Sequence, residues 1–366
     1  MHNHILYKLR KDLLAADALW QKRRRKINTT CIFNDLCNAA IKKRGLRHNL
    51  HKSESEYTPE ALGQARHKLP AGIFAQINKS IQDKEYRNTG NASRVFAIDG
   101  SKVHVHPIFQ KYGYTSRTNN QPVSRPAVRP LAMLSSMLDV HSKCCYDAQI
   151  TSHFNERKSV LAHMKVAKPG DTLLFDRGYY SNQLLRSAST HGLKVLFRLK
   201  KTAFKAAATF WNSTRNQIMT RVYHPDSTFT EVMLVKYFID GKKYMNLINF
   251  CTSIPKIRDL YALRWRVETS FKRLKSYLNL EDSHSMSPQL YTQEVEARLL
   301  LDTITQQTKD VHDLDASTKL LNKTNVVSYL RILDQVAQLL FVMKTAAMNR
   351  LSTRQCNVLI NKYFPP

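Results

Sequence analysis

The spacing of apolar and polar positions divides the chain into segments of different kinds. Up to about residue 90 the apolar residues recur at helical intervals among many basic ones. Their spacing predicts a short helix over Phe33 to Ile41, ending toward Gly45. Polar residues Lys52 to Tyr57 predict a loop. Thr58 then offers a capping side chain, Pro59 fits the first helical position, and Glu60 suits the positive end of the helix. Leu62, Ala65, Arg66 and Leu69 carry this helix on to Pro70.

From residue 94 the period drops toward two. Arg94-Val-Phe-Ala-Ile98 predicts a buried strand ending at Asp99-Gly100, and Lys102-Val-His-Val-His106 alternates as the next strand. His104 and His106 share a face there, but no third ligand lies nearby, so they read as surface or DNA-facing rather than metal-binding. A long loop, Phe109 to Pro130, follows. It interleaves Lys111, Arg117, Arg125 and Arg129 with Tyr112, Tyr114, Asn119 and Asn120, a mixture that suits either nucleic acid or plain exposure. Leu131 to Val140 and Cys144 to Ile150 predict a hairpin, and His153 to Arg157 lead into a helix reaching about Lys165. Thr172 to Phe175 is a second buried strand ending in an acid, Asp176, before Arg177-Gly178. An acid at such a place is either a turn former or a ligand held by a rigid sheet. Strand-like runs follow at Val195 to Lys200, Gln217 to Tyr223, Thr230 to Phe238 and Tyr244 to Cys251.

Asp259 to Lys275 predicts one amphipathic helix. At about 100° per residue, Tyr261, Arg264, Glu268 and Lys275 fall on one narrow stripe, with Lys272 at its edge. Leu260, Leu263, Val267, Phe271, Leu274 and Leu278 form the adjoining apolar stripe, which places the polar one at the rim of a core. A helix opened by Pro288 carries Leu290, Val295, Leu299, Leu300 and Ile304 inward. After a polar stretch, Val326 to Met348 predicts a strongly apolar helix, and Leu351 to Phe364 closes the chain.

Composition sharpens this picture. Of 366 residues, 57 are Lys or Arg and 28 are Asp or Glu, a formal charge of +29. Such an excess repels itself unless a polyanion is present, and nucleic acid is the default partner. Lys22 to Lys26, five cations in a row, is either a solvated helix end or a phosphate contact. Six cysteines without CxxC or zinc spacing read as reduced and structural, in a cytosolic chain. The charged opening residues predict no secretory signal, and no apolar run is long enough to span a bilayer.

Glu268 among bases has an ordinary reading, a surface ion pair with Lys272. It also has a chemical one, a metal-binding carboxylate beside cations that grip phosphate. The spacing Tyr261-x2-Arg264-x3-Glu268-x6-Lys275 resembles the Tyr-Arg-Glu-Lys signature of bacterial DDE transposases of the insertion-sequence-four type. Asp99-Gly100-Ser101 is similar to that family's first acidic motif, Asp176-Arg177-Gly178-Tyr179 to its second, and Thr58 to Leu69 to a further segment. The resemblance runs from about Thr58 to Leu300.

It implies an α/β fold: a ribonuclease-H-like core, interrupted by a β-rich insertion between the second and third acids. The expected divisions are a helical basic DNA-binding region at 1–90, core at 91–189, insertion at 190–254, core at 255–310 and a helical region at 311–366. The resemblance implies that Asp99, Asp176 and Glu268 bind two Mg²⁺ ions, with Mn²⁺ tolerated. Tyr261, Arg264 and Lys275 would hold phosphates around a flipped base. Lys272 and Arg177 are further candidates for phosphate contact. Trp211 reads as a core residue or as a wedge against an unpaired base. The expected activity is cut-and-paste transposition by a homodimer on double-stranded transposon ends and target DNA, in the bacterial cytoplasm at the nucleoid. The alternatives are a nuclease that does not join strands and an inactive DNA-binding derivative.

Overall fold

The structure is a computed structural model. It describes residues 2–23, 25–52, 56–90, 93–115, 129–283, 285–311 and 355. The predicted helix of 326–348, the closing stretch 351–364 apart from residue 355, and Arg117, Asn119, Asn120, Arg125 and Cys356 lie outside these residues. So does Arg24 of the five-cation run. Two compact units divide the chain: one holds 1–88, 103–131 and 272–366, the other 89–102 and 132–271.

The first unit is largely helical. It contains α1 (His2–Asp17), α2 (Thr29–Ile41), α3 (Leu46–Lys52), α4 (Pro59–Lys68), α5 (Ile73–Asn88) and a long later helix, Pro288–Val311. Cap chemistry starts α4 where expected: the Thr58 hydroxyl accepts from the Ala61 amide at 3.2 Å. The long helix buries Tyr291, Val295, Leu299, Leu300 and Ile304, and it packs on α1, α2, α4 and α5. Phe33 meets Phe74 with ring centres 5.5 Å apart.

The second unit is built on an eight-stranded sheet, ordered β3-β2-β1-β4-β5-β8-β7-β6. Its strands are β1 (Val95–His104), β2 (Leu131–Asp139), β3 (Cys144–Thr151), β4 (Thr172–Phe175), β5 (Lys194–Arg198), β6 (Gln217–Tyr223), β7 (Phe229–Ile239) and β8 (Lys242–Ile248). β1, β4 and β5 run parallel, whereas β2–β3, β5–β8, β8–β7 and β7–β6 are antiparallel. β5 pairs with β4, and the later strands continue the same sheet through β8. Helices α6 (Glu156–Met164), α7 (Asn182–Thr190) and α8 (Lys205–Asn212) complete the unit with α9 (Ile254–Leu263) and α10 (Trp265–Ser276), which runs on into the first unit. The Pro288–Val311 helix is α11. Phe96, Phe175, Val195, Phe197, Leu234 and Leu247 anchor the apolar core.

Three expectations are corrected. Gly100 does not end a strand: β1 runs unbroken to His104, so the two predicted strands are one. The reason for glycine here is room, since a Cβ on Gly100 would lie 2.8 Å from Glu156 Oε1 and 3.0 Å from Met133 Sδ. His106 is not on the strand but caps a 3-10 turn, its Nδ1 accepting from the Ile108 amide. The helix expected over Asp259 to Lys275 is two helices that break at Arg264. The amides of Arg264 and Val267 there bond to carbonyls three residues back, Tyr261 and Arg264, which tightens the turn.

Cys31, Cys37, Cys144 and Cys145 are buried, and Cys251 is exposed. No helix among the described residues is long and apolar enough to cross a membrane.

Candidate active site

The parallel strands bring their carboxyl ends to one edge. Val95 pairs with Thr172 and Ala97 with Leu174. Continuing that register by two residues sets Asp99 level with Asp176. Phe175 pairs with Phe197, and one more step sets Asp176 level with Arg198. Neighbouring strands are spaced by about 4.8 Å, so Asp99, Asp176 and Arg198 form a row along the sheet edge.

The α9–α10 junction supplies the rest of the site. Arg264, only 6% exposed, donates from Nη2 to Glu268 Oε1 at 2.6 Å, and its Nη1 lies 3.5 Å from Asp99 Oδ2. Asp176 also feels its charge. The Tyr261 hydroxyl donates to Asp176 Oδ1 at 3.1 Å, while Arg198 Nη1 stands 4.0 Å from the same oxygen. Arg264 thus pairs with two of the predicted acids, Asp99 and Glu268, while Tyr261 bonds the third, Asp176. Arg264 was expected at a rim and is buried instead, because its charge is matched by carboxylates rather than by water.

Their surroundings push the two aspartates apart. Burial raises the Asp99 carboxyl to about 6; the Gly100 amide and Arg264 oppose this, and Glu156 and Glu268 add to it. Burial also works upward on Asp176, but the Arg177 amide, Arg264, Tyr261 and Arg198 outweigh it and hold the group below its usual value. One acid thus resists ionisation beside another that is firmly ionised, a division typical of sites that handle charge.

Three further residues belong to this site that sequence reasoning did not single out. Tyr179 donates to Asp99 Oδ1 at 3.4 Å and also bonds Glu156, and these acids and burial raise its phenol. Glu156 opens α6 beside Gly100. Arg198 stacks over Tyr244, 4.8 Å from the ring centre. The missed signal was positional: Arg198 ends the strand after Asp176's, just as Asp176 ends the one beside Asp99's.

The other candidates lie as follows. Arg177 is exposed in the turn after β4. Trp211 is half-buried against the core, with Lys243 Nζ 4.8 Å from its ring centre. Lys272 is exposed on α10, and Lys275 pairs with Glu281 at 3.1 Å.

No three His, Cys, Asp or Glu side chains among the described residues are grouped closely enough to hold a metal ion. The chemistry of the donor set nevertheless suits one. Asp99, Asp176 and Glu268 are hard oxygen donors without thiolates, and two of them, Asp99 and Glu268, already share a cation, the Arg264 guanidinium. A second cluster has the form of a hydrolytic triad: Ser135 Oγ lies 3.0 Å from His163 Nε2, and His163 Nδ1 lies 2.6 Å from Asp147 Oδ2. Ser135 and His163 are wholly buried, so no substrate reaches them and the network serves the fold.

The family described as "Transposase DDE domain" matches residues 90–304, more than half of the chain and all three acids. A solved structure, the cryo-EM structure of piggyBac transposase synaptic complex with hairpin DNA, aligns at TM-score 0.48 and 12% identity, covering 99% of this chain and 83% of that one. No curated protein matches. With Asp99 on β1, Asp176 just after β4 and Glu268 on α10 all inside the matched span, the chain belongs to the DDE transposase domain family.

Proposed function

We propose that this chain is a DNA transposase of the insertion-sequence-four type. It cleaves transposon ends and joins them to target DNA by a metal-dependent cut-and-paste reaction. The observation that carries this reading is the pairing of Asp99 and Glu268 on Arg264, with Tyr261 on the preceding turn bonded to Asp176. The strand order 3-2-1-4-5, with β1, β4 and β5 parallel, supports a ribonuclease-H-like core; β5 falls inside the stretch 190–254 expected as insertion, so this reading narrows the insertion to β6 to β8.

Asp99, Asp176 and Glu268 would hold Mg²⁺, as two ions, with Mn²⁺ accepted in its place. When bound, such ions supply activation of the attacking oxygen and charge stabilisation at the leaving oxygen of phosphoryl transfer. The chain's own groups do the remainder. Tyr261 and Arg198 fix the Asp176 carboxylate, and Tyr179 fixes that of Asp99. Arg264 can pass from a carboxylate to a phosphate oxygen, since a guanidinium fork fits both. Lys275, Lys272 and Arg177 add phosphate contacts, and Trp211 is the candidate wedge beside an unpaired base. The partner is double-stranded DNA, both transposon ends and target, bound by a homodimer in the bacterial cytoplasm at the nucleoid.

The test is Glu268→Gln, which keeps size and helix and removes one charge. Mg²⁺-dependent nicking and strand transfer on an end-bearing duplex should both fall at least a hundredfold, while a gel shift shows DNA binding intact. Near-normal nicking by the folded variant would refute the three-acid site. Nicking by the native chain without any joining of paired ends would make it a nuclease instead.

A further inference from the structure

A pocket in the helical unit stands apart from the residues described above. It encloses about 390 Å³ among α2, α3, α4 and the start of α11, a volume in the range of small-molecule sites. Its charged lining is four arginines, Arg44, Arg47, Arg66 and Arg298, against two acids, Asp282 and Glu294.

Two of the arginines are deep. Arg66 and Arg298 are 4% and 6% exposed. Glu294 is fully engaged between them, accepting from Arg66 at 3.1 Å, Arg298 at 3.4 Å, Ser283 at 2.6 Å and Ser285 at 2.5 Å. Arg66 also donates to Gln293 Oε1, Ser285 Oγ and the Leu290 carbonyl, and Arg298 Nε to the Leu278 carbonyl. These bonds leave Nη1 of Arg66 and Nη2 of Arg298 without a protein partner among the described residues. Neither atom is sealed from solvent-accessible space. A guanidinium nitrogen on a largely buried side chain favours an acceptor, and two such side chains line this pocket.

Much of the remaining lining is apolar, with Leu46, Leu50, Pro59 and Leu290. It also carries Gly63, in the middle of α4. Glycine is the poorest helix former after proline. Gly63 has no positive φ to justify it, and a Cβ there would meet nothing within 4 Å. A larger residue would cost the helix nothing and would intrude on the pocket.

We propose that this pocket binds a nucleoside monophosphate group, with the phosphate on the free nitrogens of Arg66 and Arg298 and the nucleoside against the apolar lining. The group is either a free nucleotide or the 5′-phosphorylated end of a DNA strand. The pocket lies wholly within one unit, and its ligand is read by binding, so the proposal stands or falls independently of the transposition chemistry.

The experiment is calorimetric titration of the full chain with deoxyadenosine 5′-monophosphate, beside deoxyadenosine and inorganic phosphate. The nucleotide should bind at least tenfold more tightly than either fragment. Gly63→Leu, which fills the pocket, should weaken it at least tenfold while leaving the melting temperature of the free protein unchanged. Met286→Glu, at an exposed lining position, should weaken it several-fold by placing a negative charge near the phosphate. A 5′-phosphorylated oligonucleotide that displaces the nucleotide tenfold better than its 5′-hydroxyl twin identifies a DNA end as the source; equal displacement identifies the free nucleotide. Absence of nucleotide binding, equal affinity for deoxyadenosine, or native affinity in both variants overturns the proposal.

Discussion

The Asp99 carboxylate carries a conflict that pH exposes. Its value near 6 in the fold lies above the ordinary 3.8. Its protonated form is therefore favoured by folding. That contribution is fully present below pH 3.8 and is lost as pH rises through 6. Asp99→Asn should accordingly stabilise the metal-free protein by about 1–3 kcal/mol at pH 7.5 and hardly at all at pH 4. Urea unfolding in EDTA at the two pH values checks this; an equal gain at both would show that the Asp99 charge is not strained. Tyr261→Phe is the gentler probe. It removes one hydrogen bond to Asp176, 3.1 Å long, and should cost about 1 kcal/mol of stability. Without that donor Asp176 should titrate at higher pH, which carboxyl-carbon NMR would follow. Asp99, Asp176 and Glu268 could be picked out as candidates from the sequence, each by its local motif. The roles of Glu156, Tyr179 and Arg198 were not legible there, because each acts through a neighbour distant in sequence.

At the scale of elements, the α9–α10 break has its own consequence. A helical wheel assumes one continuous helix, and on it Arg264 belongs at a rim. The tightened turn instead accompanies a buried Arg264 among acids. Arg264→Ala should therefore do more than weaken DNA processing. It leaves Asp99 and Glu268 facing each other without a cation, at a cost of about 3 kcal/mol in the metal-free protein. Added Mg²⁺ should return part of that loss if the acids form the metal site. Thermal unfolding of the variant with EDTA and with Mg²⁺ makes the comparison, and no recovery would count against the ligand set. Strands were the most readable elements, since β4, β6 and the β2–β3 hairpin follow from apolar runs. The pairing of β5 with β8 was not readable, because those strands lie far apart in sequence and their pairing leaves no local periodicity.

For the whole molecule, charge dominates. An excess of 29 positive charges spread along the chain should neutralise many phosphates at once. The logarithm of DNA affinity should then fall against the logarithm of salt concentration with a slope of about 0.9 per phosphate contacted. Filter binding across a salt series measures it, and a nearly flat line would exclude an extended backbone interface. Composition alone made this property legible. The division into two units was not, since each is assembled from separated stretches of chain.

The register of β1, β4 and β5 says something about how such a chain decays. Asp99, Asp176 and Arg198 are level because hydrogen-bonded strands advance in fixed steps, like teeth on meshed racks. A substitution next to one of them leaves the others in place. A single-residue deletion between Val95 and Asp99 does not, because side chains alternate faces and the acid would turn to the far side of the sheet. A gene copy bearing that deletion would still spell all three acids and encode no site. Among related copies, intact spacing from strand start to acid is thus a better mark of a working enzyme than the acids themselves.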